Sequence, residues 1–337
     1  MLTHDPATRL TVPEATELVE RVMRAVGMTE DDASTVAAHL IDCELRGLGY
    51  GGLPRALSIV ERIRSTPRRA RPVSVVRESA LSATLDGGDT VGYVVAQRAT
   101  EVAIDKALTS GMAVVAATDT WYTGMYSWYL EQITAAGLVG MIAGNAGRLV
   151  APHGGTEARF GTNPIAFGFP CAGDPIIWDT GTSSVTYAEV VLAGRLGTPL
   201  PEGVAFDAAG RPTTSPAEAL SGAFTVWGGH RGSGLALVVQ LLGMMTGAPA
   251  ITEGVGGLGF LVVAIDPATV TDAEDYRTRV ATYADWVRGT RTADGVDEVR
   301  MPFDRSRRTR ESARERGLID VEPAVLDALR SVAAGNG

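Results

Sequence analysis

From about residue 71 onward, short apolar runs alternate with longer amphipathic stretches, and this pattern constrains the fold more than any other feature of the sequence. VSVV, ALSATL, MAVVAAT, LVGMIAG, PIAFGFP, PIIWD and FLVVAID read as strands. Residues 90–110, 126–136, 184–196, 232–246 and 272–287 carry apolar residues at helical spacing. Strands that alternate with helices stack as α/β layers around one sheet, because each element must bury its apolar face against another. The first 70 residues read as helical: Thr11 precedes Pro13, and Leu18, Val19, Val22 and Val26 recur with the helical period. Thr29 and Asp32 resemble a capping box. A second helix ends at Gly47, and a third follows Pro54. Two helices close the chain. The expected organisation is a helical segment 1–70, a central α/β region 71–300 and a helical segment 301–337.

Charge excludes some functions. The net charge of -9 and pI of about 5.1 argue against a nucleic-acid partner. The one dense basic run, Arg305 to Arg316, reads first as a solvated helix face. The stretch from Leu235 to Ile251 is apolar but interrupted by Gln240, Gly243, Gly247 and Pro249. It predicts a buried helix rather than a membrane span. MLTHDPATRL has no apolar core of a secretory signal. Cys43 and Cys171 lie far apart, with no Cys or His at ligand spacing, and read as reduced, buried thiols of a cytoplasmic protein without a metal site.

Four motifs carry chemistry. GVGGLG at 254–259 matches the dinucleotide fingerprint, but it precedes a strand instead of opening a helix, so a connector is the better reading. WDTGTSS at 178–184 resembles an aspartic-protease motif, yet the chain holds no second copy to share the proton. A polar turn before a helix start is preferred there. WGGHRGSGLAL at 227–237 places glycines and His230-Arg231 at the start of an apolar helix, where a phosphate or carboxylate would be welcome. ELRGLGYGGLPR at 44–55 has four glycines directly after a helix and predicts a bend that presents Tyr50 and Arg55.

Together PHGGTEARFGTNP, GTNPIAFGFP, DTGTSS and GGHRGSGLAL resemble the type-2 malate/L-lactate dehydrogenase family, over about residues 10 to 320. That family includes ureidoglycolate dehydrogenases and reductases of cyclic imino acids such as piperideine-2-carboxylate. The resemblance implies a non-Rossmann α/β fold with a mixed sheet, a homodimer, and NAD or NADP as cofactor. It implies cofactor contacts from Tyr122, Thr123 and Gly124, from Asp179, Thr180 and Gly181, from His230 and Arg231, and from Asp304, Arg305 and Arg307. Arg231 stands where the family usually has lysine. Arg55 matches the residue that holds the substrate carboxylate, and Thr162 matches a second substrate contact.

The chain departs from the family where protons move. The family reads R-G-I-x-S-H-G-x-x-R and this chain reads R-G-L-G-Y-G-G-L-P-R, so Tyr50-Gly51 replaces Ser-His. In place of N-S-x-H-F-G stands D-T-W-Y-T-G, with Tyr122 at the histidine. His4, His39, His153 and His230 do not occupy either position. Tyrosine, with an ordinary pKa of about 10, donates a proton at neutral pH but is a poor base. Tyr50 or Tyr122 therefore suits reduction better than alcohol oxidation. A cyclic imine binds already protonated and needs less help. Glu189 stands where imino-acid reductases carry an aspartate, unless it is simply a solvated helix residue.

The expectation is an NAD(P)H-dependent reductase of a small carboxylated substrate, C=N or activated 2-oxo acid, in a specialised pathway. The alternatives are a repurposed member that isomerises, eliminates or cyclises, and a silent binding protein.

Overall fold

A computed structural model describes residues 8–66, 70–252, 254 and 256–335, so His4 lies outside the described residues. In chain order the elements are β1 (Thr8–Thr11), α1 (Val12–Ala25), α2 (Glu30–Leu45), α3 (Leu53–Ser65), β2 (Ser74–Glu78) and β3 (Ser82–Val91). Then come α4 (Gly92–Ser110), β4 (Met112–Trp121), α5 (Tyr126–Ala135), β5 (Val139–Gly144), β6 (Ile165–Phe169), β7 (Ile176–Thr180) and α6 (Tyr187–Leu196). The chain continues with β8 (Ala205–Phe206), α7 (Pro216–Ser221), β9 (Ala223–Phe224), α8 (His230–Met245), β10 (Leu258–Ile265) and α9 (Ala273–Arg288). It ends with α10 (Asp304–Arg316), β11 (Leu318–Val321) and α11 (Pro323–Ala333).

Two compact units result, one from Met1–Arg69 with Phe303–Gly337 and the other from Ala70–Pro302. The two ends of the chain therefore build one unit. Its helices are capped locally: Thr11 and Glu14 exchange side-chain and backbone bonds as a full capping box, and the Thr29 hydroxyl accepts the Asp32 N–H. Its β1 pairs antiparallel with β11, Leu10 opposite Ile319. The sequence reading missed both strands, because four-residue strands so far apart carry no local signature.

A charge cluster lies buried in this unit. Arg46 Nε donates to Asp42 at 2.5 Å, and Arg310 and Arg314 approach the other Asp42 oxygen at 3.3 and 3.7 Å. The Arg46 guanidinium also lies 4.6 Å from the centroid of the Phe303 ring. The basic run is thus one helix whose inner face, through Arg310, serves Asp42, while Arg305 remains exposed.

Buried His39 on α2 is held neutral. Burial, assisted by the positive Arg46, pulls its pKa down to about 3 from 6.5. Between those values the unfolded chain takes up a proton that the native state refuses. Stability from this group is present above pH 6.5 and is lost on acidification. A His39→Gln variant is therefore expected to lose about 2 kcal/mol less stability than wild type between pH 7 and pH 5, as urea unfolding at the two pH values would measure.

The second unit is built on a seven-stranded sheet in the order β2-β3-β4-β10-β5-β6-β7. Only β3 and β4 run parallel, joined by the α4 crossover; the other neighbours are antiparallel, so the sheet is mixed as expected. Central β10 reads LGFLVVAI and is buried along most of its length. The sequence boundaries shift at two places. Thr90 lies within β3 instead of starting α4, its carbonyl accepting the Thr120 hydroxyl across the sheet, and α4 begins at Gly92. Ser184 stays outside the helix, its N–H bonded to the Thr225 carbonyl, and α6 begins only after Thr186. The expected burial of Cys171 does not hold. It is half-exposed, whereas Cys43 is buried.

GGLG leads directly into β10, as the sequence context indicated. Gly259 is required there for another reason: a Cβ would strike the Thr246 hydroxyl at the end of α8. The expectation of a buried helix at Leu235–Ile251 is only half met. Ala236, Val239, Gln240 and Gly243 of α8 face inward, while Leu237, Val238, Leu241 and Met245 are 49–63% exposed.

Candidate active site

The 44–55 stretch in the first unit folds as the glycine spacing requires. Gly47 adopts φ +73°, which ends α2, and its N–H bonds to the Glu44 carbonyl at 2.9 Å. A short 3-10 turn, Gly49–Gly51, carries Tyr50, and α3 starts at Leu53. Arg55 lies in the first turn of α3, half-buried, with its N–H on the Gly52 carbonyl at 2.9 Å. At Gly51, the position of the family's histidine, a Cβ would come within 3.3 Å of the Cys43 sulfur. The close thiol and the missing side chain are thus matched. Asp304, buried, and Arg305 open α10 in this same unit, and Arg307 pairs with Glu311 at 2.8 Å.

The remaining sequence-selected residues all belong to the second unit, where hydrogen bonds link the segments of Asp179, Gly181 and Thr162 to their neighbours. Tyr122 sits at the end of β4 with φ +53°, and Gly124 has φ +73°. This left-handed backbone is uncommon for a tyrosine and marks a constrained turn. Thr123 is held through its carbonyl, which accepts the Tyr129 hydroxyl at 2.8 Å. The turn leads into α5, whose second N–H, from Ser127, is accepted by Asp179 at 2.8 Å. A carboxylate suits the positive end of a helix. Asp179 on β7 therefore holds the 122–125 turn in place.

Beyond Asp179 the chain turns at Gly181, whose carbonyl accepts the Trp227 indole N–H at 2.5 Å. Thr182, buried, donates both its N–H and its hydroxyl to the Thr162 carbonyl, at 2.9 and 3.0 Å. Trp227 leads into α8, where His230 and Arg231 are the first residues. Gly229 provides no side-chain cap, so the first N–H groups of α8 have no side-chain acceptor from the cap position. His153 of the PHGG motif lies beside them, its ring 6.3 Å from that of His230 and its N–H on the Ser233 hydroxyl.

Glu189 has a local task. Its carboxylate accepts the Thr186 N–H at 2.7 Å while the Thr186 hydroxyl accepts the Glu189 N–H, a complete capping box for α6. Tyr187, just before it, places its ring 6.1 Å from Tyr122. Sequence reasoning missed Tyr187, Trp227 and Asn163. Asn163 at φ +38° accepts the Ala146 N–H and donates to the Ala236 carbonyl and Gln240, linking GTNP to α8. The N of GTNP was the available signal, since asparagine tolerates this backbone.

The sequence profile of malate/L-lactate dehydrogenases matches residues 10–330 of the chain. The chain belongs to the malate/L-lactate dehydrogenase family. It is 31% identical over 292 residues to the L-sulfolactate dehydrogenase of Methanothermobacter thermautotrophicus, covering 84% of this chain and 86% of that one. It is 32% identical to the delta(1)-pyrroline-2-carboxylate/delta(1)-piperideine-2-carboxylate reductase of Pseudomonas putida, over 93% of this chain and 94% of that one. Among solved structures, a dehydrogenase from Sinorhizobium meliloti superposes with a TM-score of 0.89 at 30% identity, covering 98% of this chain and all (100%) of the other. The malate/L-lactate dehydrogenase family member described here is therefore of an oxidoreductase family whose named relatives act on small carboxylates. Among the described residues no cluster of His, Cys, Asp and Glu could hold a metal, and no helix is long and apolar enough to cross a membrane.

Proposed function

We propose that this family member is an NAD(P)H-dependent reductase of a small carboxylated substrate bearing a cyclic C=N or an activated 2-oxo group. The observation that carries the reading is the start of α8. Uncapped N–H groups and Arg231, beside the rings of His153 and His230, form a small-residue edge with positive character that fits a phosphate-bearing cofactor. The reduced nicotinamide supplies the hydride. The cofactor contacts are Tyr122, Thr123 and Gly124, Asp179 to Gly181, the α8 start, and Asp304, Arg305 and Arg307, of which the two arginines serve its phosphate. Arg55 pairs with the substrate carboxylate, Thr162 orients it, and Tyr50 or Tyr122 donates a proton to the developing alkoxide or amine. Such a donor is worth roughly 10²- to 10⁴-fold in rate. Glu189 acts on a bound iminium while its capping bond fixes its position.

The exposed apolar face of α8 supports a homodimer, since a monomer leaves few such stripes in water. Two free thiols support a cytoplasmic setting and a specialised metabolic role is in keeping with the altered proton residues. A second reading follows from those same residues. With tyrosines at both histidine positions, the fold would suit a non-redox step such as isomerisation, elimination or cyclisation.

Titration calorimetry with NADH and NADPH separates the two readings. Micromolar binding of one nucleotide, weakened about tenfold or more in Arg231→Ala, is expected for a charge-assisted phosphate contact. Binding of neither nucleotide would sink the reductase.

A further inference from the structure

The bend that carries Tyr50 and Arg55 begins with a carboxyl group, Glu44, to which the family comparison assigns no part. Glu44 lies in the last turn of α2, and its Oε1 accepts the Leu53 N–H at 2.6 Å. Leu53 is the first residue of α3, and Gly52 before it gives that helix no side-chain cap. Glu44 thus supplies, from nine residues upstream, the acceptor that the helix start needs. Gly52 makes the room: a Cβ there would overlap the Glu44 carboxyl, whereas one on Gly49 would stand in ordinary contact, 3.6 Å from its second oxygen.

The neighbouring charges are otherwise engaged. From α2, Asp42 is paired with Arg46 and with Arg310 and Arg314 of α10. Cys43 remains a thiol, since burial and the charges of Asp42 and Glu44 push it far up, against Arg46 and Arg55. Arg55 on α3 and the Tyr50 hydroxyl on the 3-10 turn are the other polar groups of the bend. Among the described residues Glu44 has no ion pair.

We infer that Glu44 is a positioning residue whose protonation state sets how firmly this bend holds a substrate carboxylate at Arg55. The inference rests on the reading of Arg55 as the carboxylate anchor. Neutral Glu44 fixes the first turn of α3 without opposing the anion. Ionised, it keeps the Leu53 bond but adds negative charge to the bend that must receive another carboxylate. Burial raises its pKa to about 7 from 4.5, against the lowering effect of the Leu53 N–H, so the change falls near neutral pH.

The test uses the full chain and oxamate, an unreactive small carboxylate. Its binding is measured by calorimetry at pH 6 and pH 8.5, with and without each nucleotide, and the Glu44 side-chain carbon is titrated by ¹³C NMR. In wild type the oxamate Kd is expected to rise about tenfold from the lower to the higher pH, the size expected for two like charges within one bend at an effective dielectric constant of about 20. In Glu44→Gln, which retains an acceptor for Leu53 but cannot ionise, the Kd is expected to change less than about twofold. Glu44→Ala, without the acceptor, is expected to bind more weakly than Glu44→Gln at both pH values. Glu44 should titrate near neutrality. Equal pH dependence in wild type and Glu44→Gln, an ordinary carboxylate titration for Glu44, or no oxamate binding at either pH would each overturn the inference. Failure of the reductase reading is seen separately, as absent nucleotide binding with the oxamate pattern intact.

Discussion

Arg55→Ala is expected to raise KM for the carboxylated substrate and to lower kcat/KM by about 10²- to 10³-fold, with a smaller change in kcat. A guanidinium and a carboxylate form parallel charge-assisted bonds, and truncating one partner of such a partly buried pair costs about 2–5 kcal/mol. Arg55 sits in the first turn of α3, half-buried, on a backbone fixed by Gly52 and by Glu44. Its backbone is therefore fixed before the substrate arrives, so little ordering of the helix start offsets the loss on truncation. Arg55→Lys retains charge without the fork and should recover only part of the loss. Steady-state kinetics over a panel of 2-oxo acids and cyclic imines, followed by nucleotide absorbance, provides the check. If Arg55→Ala lowered kcat alone and left KM unchanged, the anchor would lie elsewhere.

The second large effect is on stability. Asn163 is fully buried and adopts φ +38°, where most side chains are strained. Its amide accepts the Ala146 N–H at 3.1 Å and donates to the Ala236 carbonyl at 2.8 Å and to Gln240 at 3.1 Å. Asn163→Ala removes all three bonds, leaves a buried N–H without its acceptor and retains the unfavourable backbone. The expected cost is about 3–5 kcal/mol. Thermal unfolding followed by near-ultraviolet circular dichroism would read it as a fall of roughly 4–10 °C. Thr162, the neighbouring residue, shares the turn, so on the proposed role of Thr162 the variant should also weaken substrate binding at temperatures where it remains folded. A variant as stable as wild type would mean that this link between GTNP and α8 carries little.

Much of the fold was legible in the sequence because its signals are local. β-Branched runs such as MAVVAAT and FLVVAID became β4 and β10, and helical periodicity located α1, α4, α5 and α9 to within a few residues. What was missed depends on distant partners. The pairing of β1 with β11 joins the two ends of the chain, and four residues of sequence do not announce it. The late start of α6 goes with a bond to Thr225.

The same division holds for the candidate site. Glycine and charge at fixed offsets drew attention to Arg55, Asp179 and His230-Arg231 in the sequence, while the parts proposed for Arg55 and Thr162 come from the family resemblance. The loss of both family histidines was equally plain. Tertiary structure alone decided what the accompanying groups do. Glu44 and Glu189 look alike in sequence, each a glutamate on a helix beside a motif. Glu189 caps its own helix through a neighbour three residues away. Glu44 reaches across a bend into the space that Gly52 leaves open, where burial raises its pKa to about 7. A sequence specifies which groups can ionise; the distance to other groups and the loss of water around them, which arise only on folding, decide at what pH they do.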